Sequence, residues 1–315
     1  MIAIVTDVLV RVWPFFLLVG AGLALTRLRL LDAHQARGLS IYVYWIGFPA
    51  LLIHSLSRVG RPTPELAAGL AACAVAGLAV IATVVILGRT LRWTKAEQAG
   101  AAITSGVGNS AFLTLPITAA VMGAETARLV AGVVAVDFVI LSAAGVGLLG
   151  WAAGRSVWRS ILQAFRNPVV AAALAGAALA LLDLKPPEAL DRALGLAAAS
   201  GSPVGLVALG AALGLREAEG EAAPHNVPIA TAAVAKLALF PLLAWFAIGL
   251  TSAPPAFRAG ATLLAAAPTA VSAFIQTRAY DVFARGAARI VALTTAAALL
   301  TLAIAVLLLV PTATP

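Results

Sequence analysis

Charged residues, cysteine and histidine are all scarce in this sequence of 315 residues. Only 11% of the residues are charged and 62% are hydrophobic, whereas a soluble domain has about 25% charged residues, so an ordinary soluble protein is excluded. The single cysteine, Cys73, excludes an intrachain disulfide. The histidines and the cysteine show no metal-ligand spacing. We therefore expect no bound metal, no cofactor and no enzymatic reaction.

Long apolar runs separated by short breaks make up most of the sequence. Each run has about the length that a helix needs to cross a bilayer, 17–25 residues, whereas barrel strands would alternate over about 10 residues. The sequence therefore predicts an all-α membrane protein with ten transmembrane helices. The predicted spans are residues 3–26, 39–57, 65–88, 97–123, 127–151, 167–183, 189–214, 227–250, 257–277 and 287–310.

The net charge of +8 reflects lysine and arginine residues that cluster in alternate loops. Basic residues are retained on the cytoplasmic side, so these loops predict both termini outside and the loop after the fifth span inside. With this explanation the charge gives no reason to expect a nucleic-acid partner. The cytoplasmic loop, residues 155–166, is predicted to be either a short basic connector or an interfacial helix with Trp158, Ile161, Leu162 and Phe165 at helical spacing.

This loop divides the chain into two halves of five spans each, residues 1–154 and 167–315. The segment GNSAFLTLP (108–116) in span four has a counterpart in span nine, APTAVSAF (267–274). Each segment places hydroxyl groups and a proline deep in an apolar run. Because each half has an odd number of spans, the second half enters the membrane from the opposite side, which predicts an inverted repeat.

Spans four and nine are predicted to be broken inside the membrane. A proline removes a backbone donor, and the freed groups are tolerated only where protein or water satisfies them. Because proline is favoured at the first position of a helix, Pro116 and Pro268 are predicted to start half-helices whose N–H groups meet near the midplane and bind an anion. A simple proline kink in each helix is the alternative. The side chains that complete the predicted substrate site are Asn109, Ser110, Thr269 and Ser272.

Asp137 in span five and Lys236 in span eight are the ionisable residues furthest from the predicted span ends. Such residues are functional hypotheses by default. Two functional alternatives stay open: Asp137 carries a proton for coupling, or the charges of Asp137 and Lys236 compensate each other. The non-functional explanations are a structural hydrogen-bond anchor for Asp137 and a snorkelling side chain for Lys236.

The two broken segments, with FPALL (48–52), SPVGLVALG (202–210) and KLALFPLL (236–243), resemble the pattern of the auxin efflux carrier family over nearly the whole chain. The resemblance implies a sodium/proton-antiporter-like fold with crossed broken helices. It also implies a scaffold of spans 1, 2, 6 and 7, a transport domain of spans 3–5 and 8–10 that moves as an elevator, and a homodimer in the bacterial cytoplasmic (inner) membrane. Plant members place an asparagine near the second proline, which APTAVSAF lacks, so auxin itself is not favoured.

The sequence therefore predicts a secondary transporter of small organic anions, carboxylates of an auxin-like or malonate-like kind. Its expected partners are this substrate, membrane lipid and a second copy of the chain. The first alternative is a sodium-coupled symporter of the bile-acid type, which would need additional acidic or carboxamide ligands near the crossing. The second alternative is a membrane receptor that binds the same anion without moving it.

Overall fold

A computed structural model describes residues 2–58, 60–164, 166, 168–214 and 225–310. These residues form α-helices joined by short connections, with four π-helical segments between them. The helices are α1 (Ile2–Arg27), α2 (Ala33–Tyr42), α3 (Phe48–Leu56), α4 (Pro64–Thr90), α5 (Lys95–Gly106), α6 (Leu115–Met122), α7 (Ala124–Val136), α8 (Ser142–Ala152), α9 (Val157–Ala164), α10 (Pro168–Leu181), α11 (Glu188–Gly214), α12 (Asn226–Val234), α13 (Phe240–Gly249), α14 (Pro255–Ala265), α15 (Val271–Tyr280) and α16 (Ala284–Leu309).

Six helical stretches among the described residues are long and apolar enough to cross a membrane unaided. Two shorter stretches, Trp13–Arg27 and Ser110–Met122, are also apolar. The prediction of an all-helical membrane protein is confirmed, while the number of ten spans and the inverted repeat stay predictions. The six stretches are Ala33–Leu56, Pro64–Thr90, Ala124–Ala152, Glu188–Gly214, Asn226–Gly249 and Ala284–Leu309.

The π-helical segments follow from local chemistry in three of the four cases. Pro49, Pro116 and Pro241 each lie two residues after such a segment. Proline has no N–H to donate, and its ring clashes with the carbonyl four residues earlier, so the preceding turn widens and the helix continues. The four segments are Val43–Gly47, Ser110–Thr114, Asp137–Leu141 and Ala235–Leu239.

Close glycine contacts hold α1 against α11. A Cβ atom on Gly22 would lie 2.0 Å from the Val207 carbonyl oxygen, and one on Gly210 would lie 1.9 Å from that of Val19. Within lipid, helices associate through small residues that let their backbones approach closely. These two glycines therefore set the distance between the two helices.

The remaining contacts form two groups of helices. In one group, α11 packs along α1 and α3, and α3 packs along α10. In the other, α4 packs on α5 and α13, α5 on α8 and α12, and α7 on α14. The groups meet where α11 contacts the segment Ser110–Thr114, α3 contacts α7, and α1 contacts α6 and α16. The groups coincide with the spans expected to form a scaffold and a transport domain, and that division stays a prediction.

The predicted cytoplasmic loop contains α9, which is amphipathic. Ser160 is buried because it packs against Gly150 of α8, and Ile161 packs against Gly147. Trp158 and Leu162 lie on the exposed side. The fourth residue predicted for an interfacial face, Phe165, lies outside the described residues. The connection is therefore a short helix that docks on α8 by one side.

Candidate functional site

The first predicted break in a membrane helix is present. α5 begins at a capping box formed by Thr94 and Glu97 and ends at Gly106. Val107, Gly108 and Asn109 are not helical, and a new helical stretch, Ser110–Met122, follows; we call it the Ser110 helix.

The prediction that Pro116 starts this half-helix is wrong. Pro116 lies six residues after Ser110, inside the helix, where it produces the π-helical turn described above. The break is made earlier by residues with poor helix propensity, Gly106, Gly108 and Asn109. Because Pro116 has no N–H, it cannot donate the usual helical hydrogen bond to the Phe112 carbonyl. This carbonyl instead accepts a 2.8 Å hydrogen bond from the Ser202 hydroxyl of α11.

The second predicted break is present between α14 and α15. α14 ends at Ala265 and α15 begins at Val271, with a non-helical segment between them. Pro268 lies in the middle of that segment, so the prediction that it occupies the first position of a half-helix is wrong as well. It lies three residues before the helix, where proline keeps the chain extended.

The two non-helical segments cross and pair with each other. Gly108 and Thr269 form an antiparallel bridge. The Asn109 N–H donates to the Pro268 carbonyl over 2.7 Å, and the Ala270 N–H donates to the Val107 carbonyl over 3.1 Å. Each break thus satisfies backbone groups that the other exposes, as a position inside a membrane requires. A simple kink in either helix is excluded.

Thr269 braces this crossing. Its side chain is fully buried, and its hydroxyl donates to the Thr104 carbonyl near the end of α5 over 2.7 Å. Its N–H donates to the Thr294 hydroxyl of α16 over 3.1 Å. Thr104 and Thr294 were not predicted, and the signal for both was a hydroxyl inside an otherwise apolar span.

A cavity of about 70 Å³ lies beside the crossing, and we call it the crossover cavity. Asn109 and Ser272, two residues of the predicted substrate site, both line it. The Asn109 amide makes no side-chain hydrogen bond with the described residues, and the buried Ser272 hydroxyl is also unpartnered there. A ligand or a water molecule can supply the hydrogen-bond partner that such polar groups lack.

Three aromatic rings form the apolar wall of the crossover cavity. The ring centroids of Phe48 and Phe112 are 3.8 Å apart, and those of Phe48 and Phe138 are 4.8 Å apart. The sequence analysis assigned none of the three to the site, because no sequence pattern distinguishes a phenylalanine that lines a cavity from one that faces lipid. Phe48 comes from α3 and the other two from the second group of helices, so the wall lies between the groups.

Asp137 lies next to the start of the Ser110 helix. The Ser110 hydroxyl donates to Asp137 Oδ2 over 2.6 Å, and Oδ1 has no partner among the described residues. The carboxyl group is only 2% exposed. A negative charge there faces the positive end of the Ser110 helix, which stabilises it.

Lys236 occupies the complementary position at the end of α14. Its side chain is fully buried, so the snorkelling explanation is wrong. Nζ donates to the Ala265 carbonyl over 2.6 Å, at the negative end of α14, and lies 4.5 Å above the Phe240 ring. Lys236 and Asp137 do not form an ion pair within the described residues.

Two larger cavities lie beyond the crossover cavity. The first has a volume of about 650 Å³ and shares Ser40, Tyr44 and Ser272 with the crossover cavity. It extends to Arg37 and Arg278, and we call it the Arg37 vestibule. The crossover cavity thus adjoins this larger cavity.

The second cavity has a volume of about 690 Å³ and is lined by His54, Arg58 and Arg128; we call it the His54 vestibule. Arg37 lies near the start and His54 near the end of one stretch of membrane length, Ala33–Leu56, so the two vestibules open toward opposite faces. Among the described lining residues, only Ala111 borders both this vestibule and the crossover cavity.

The backbone around Phe112 closes the crossover cavity from the His54 vestibule. The Ser202 hydroxyl holds the Phe112 carbonyl, and a Cβ atom on Gly205 of α11 would lie 3.0 Å from the Phe112 ring. Sequence reasoning included Ser202 and Gly205 only in a family motif. Their contacts are long-range and carry no local signal.

Comparison with known proteins agrees with this architecture. A family model described as "Membrane transport protein" matches residues 7–159 and residues 151–306. A protein of Rhizobium meliloti (strain 1021) named "Putative malonate transporter" is 27% identical over 297 residues, which cover 90% of each chain. The chain therefore belongs to the membrane transport protein family, the auxin efflux carrier family that its motifs resemble.

Proposed function

We propose that this protein is a secondary transporter of small carboxylates that binds its substrate in the crossover cavity. The observation that supports this most is the antiparallel crossing of two broken helices beside the Asn109 amide and the buried Ser272 hydroxyl, neither of which has a side-chain hydrogen bond to the described residues. In this proposal the two side chains donate hydrogen bonds to one carboxylate. Ser110, Pro116, Pro268 and Thr269 act by holding the crossing in shape.

The helix ends supply the rest of the attraction for an anion. The first N–H groups of any helix lack an acceptor within the helix, and the dipole makes that end positive. The Ser110 helix and α15 both begin at the crossing, so both present this end to the cavity. Such an end binds carboxylate without an arginine.

The size of the crossover cavity favours a small substrate. A volume of about 70 Å³ holds a few water molecules, whereas sites for drug-sized ligands measure about 300–1,000 Å³. This size supports a malonate-like dicarboxylate, the substrate in the name of the Rhizobium relative, over a bile acid. It also disfavours a large aromatic acid in the conformation described here.

Alternating access in this proposal is an elevator movement. The helices α4–α8 and α12–α16 carry the crossing past the scaffold of α1–α3, α10 and α11, so that the Ser202–Phe112 contact opens and the cavity meets the His54 vestibule. The proposal includes ten spans in two inverted repeats, a homodimer, the inner membrane and both termini outside. The two vestibules, which lie toward opposite ends of the stretch Ala33–Leu56, support the proposed alternating access.

We assign proton coupling to Asp137, in preference to mutual charge compensation with Lys236. A carboxyl group with one unpartnered oxygen in a nearly dry site needs a proton or another charge, and Lys236 is already held by Ala265 and Phe240. The Ser110 hydroxyl links Asp137 directly to the first residue of the half-helix at the substrate site. Protonation there changes the charge that faces the anion.

Uptake of radiolabelled malonate by proteoliposomes tests the function. A transporter accumulates malonate in the lumen well beyond one molecule per protein, and a receptor binds no more than that. An imposed proton gradient should drive the uptake, and replacing sodium with choline should leave it unchanged. Stoichiometric binding alone would support the receptor, and a requirement for sodium would support the symporter of the bile-acid type.

A further inference from the structure

Two arginines that line the Arg37 vestibule have no partner among the described residues. Arg37 of α2 and Arg278 in the last turn of α15 both line it, and both are exposed. Neither side chain forms a hydrogen bond, an ion pair or a cation–π contact within the described residues. The neighbouring acids in the sequence, Asp32 and Asp281, are not among the residues that line the cavity.

The arginines of the His54 vestibule are neutralised. Arg58 donates to Asp191 over 2.6 Å, and Asp191 also bonds His54 Nδ1. Arg128 pairs with Glu125. In the described part of the chain, one mouth of the transport path therefore carries uncompensated positive charge and the other carries ion pairs.

We propose that Arg37 and Arg278 form an anion-capture subsite at the mouth of the Arg37 vestibule, which takes a carboxylate before it reaches the crossover cavity. This inference rests on the proposed function. Arg37 belongs to the scaffold group of helices and Arg278 to the group with the crossing, so the two guanidinium groups approach the path from opposite walls. A cleft lined with charge of one sign raises the local concentration of the opposite ion and its rate of entry.

The capture subsite is separate from the crossover site along the path. Ser272 lies at the start of α15 and Arg278 lies six residues later, a rise of about 9 Å along the helix. The arginines therefore meet the anion first, and Asn109 and Ser272 meet it second. A consequence is that transport differs with direction: the protein is saturated at lower malonate concentrations from the Arg37 side than from the His54 side.

Malonate transport from each face separately tests this inference. The protein is reconstituted in proteoliposomes in a single orientation. The proteins compared are wild type, Arg37→Gln, Arg278→Gln, the double variant and Arg278→Lys, with Arg128→Gln in the opposite vestibule as the matched control. We expect the KM measured from the Arg37 side to rise about threefold for each single variant and about tenfold for the double variant, with kcat unchanged. Arg278→Lys should keep the wild-type KM because it keeps the charge, and added salt should raise the wild-type KM more than that of the double variant.

Each result has a distinct meaning for the capture subsite. An unchanged KM for the double variant, or an equal rise from both faces, would overturn the subsite while wild-type transport still supports the proposed function. A rise in KM for Arg278→Lys equal to that for Arg278→Gln would also overturn it, since geometry would then matter and charge would not. If wild type moves no malonate from either face, the proposed function fails, and the subsite fails with it.

Discussion

At the scale of single residues, the crossover cavity depends on polar groups that the fold leaves without partners. Asn109 and Ser272 face it with unused donors, whereas Thr269 donates its hydroxyl proton to the Thr104 carbonyl. Residues that look equivalent in the sequence thus divide into those that hold the crossing and those that are free to bind. Substitutions should separate the two kinds by affecting either stability or transport.

Replacing Asn109 with alanine should weaken transport without unfolding the protein. A hydrogen bond to a charged group contributes about 1.5–3 kcal/mol, so we expect KM for malonate to rise about tenfold to a hundredfold. The thermal midpoint in detergent without ligand should change little, because the amide has no partner among the described residues. Asn226→Ala, at the surface, is the matched control. A wild-type KM in Asn109→Ala would remove this residue from the site.

Replacing Asp137 with asparagine tests proton coupling. The amide oxygen of the new side chain could still accept the hydrogen bond from Ser110, but the amide could no longer bind and release a proton. We expect the uptake rate of Asp137→Asn to be independent of pH between about pH 5 and 8, while that of wild type varies. Glu125→Gln, an exposed acid, is the control. If the pH profile of this variant matches that of wild type, Asp137 does not couple transport to protons and has a structural role.

The polar residues selected from the sequence lie around the crossing, whereas the two helix starts were assigned to the wrong backbone positions. Asn109, Ser272, Asp137 and Lys236 were found because polar groups are costly inside a membrane span. Pro116 and Pro268 were assigned to helix starts because proline favours that position. In the structure the helix is broken at Gly106–Asn109, and Pro116 follows a π-helical turn. Pairing with the second broken segment stabilises the break, and the hydrogen bond from Ser202 stabilises the turn.

At the scale of helices, the packing inside the proposed scaffold differs from the packing between the proposed scaffold and transport domain. α1 and α11 touch backbone to backbone at Gly22 and Gly210, whereas the contacts of α11 with the Ser110 helix are made by side chains, among them the Ser202 hydroxyl and the Phe112 ring. Close backbone packing of the first kind resists separation more than side-chain contacts of the second kind, which include the hydrogen bond from Ser202. Two substitutions test this difference.

Gly22→Ala should destabilise the protein, because the added methyl group would lie 2.0 Å from the Val207 carbonyl oxygen. Overpacking of this kind costs about 1–3 kcal/mol. Gly20→Ala, in the same helix with nothing within 4 Å, should leave the midpoint of thermal unfolding unchanged or slightly higher. Equal midpoints for the two variants would show that α1 and α11 are not packed this closely.

Ser202→Ala should favour opening toward the His54 vestibule. Losing the hydrogen bond to the Phe112 carbonyl costs the closed arrangement about 0.5–1.5 kcal/mol, a twofold to tenfold shift between the two states. A cysteine placed at position 111 should then react faster with a membrane-impermeant thiol reagent from that face, and the buried Cys73 should stay unreactive. Ser200→Ala in the same helix is the control. Equal labelling rates in both variants would exclude Ser202 from the closure.

Helix positions followed from the sequence because hydropathy reports them directly. Spans such as 65–88 and 287–310 differ by a few residues from α4 and α16. The contacts that bring α11 onto the Ser110 helix join residues 90 apart, so no local pattern encodes them. The motif SPVGLVALG marked that region only through its family resemblance.

At the scale of the whole molecule, the three cavities differ in how they adjoin one another. The crossover cavity adjoins the Arg37 vestibule and is closed from the His54 vestibule by the backbone around Phe112. The central claim is that the crossing of two broken helices binds the carboxylate and moves with it. The proposed capture subsite and the proposed proton coupling by Asp137 both depend on a carboxylate site at the crossing.

An experimental structure with bound bromomalonate tests the claim most directly, because the anomalous signal of bromine locates the ligand independently of its shape. We expect one strong peak in the crossover cavity, with a carboxylate within hydrogen-bonding distance of the Asn109 amide and the Ser272 hydroxyl. A peak elsewhere in the protein at saturating ligand, with the crossover cavity empty, would contradict it.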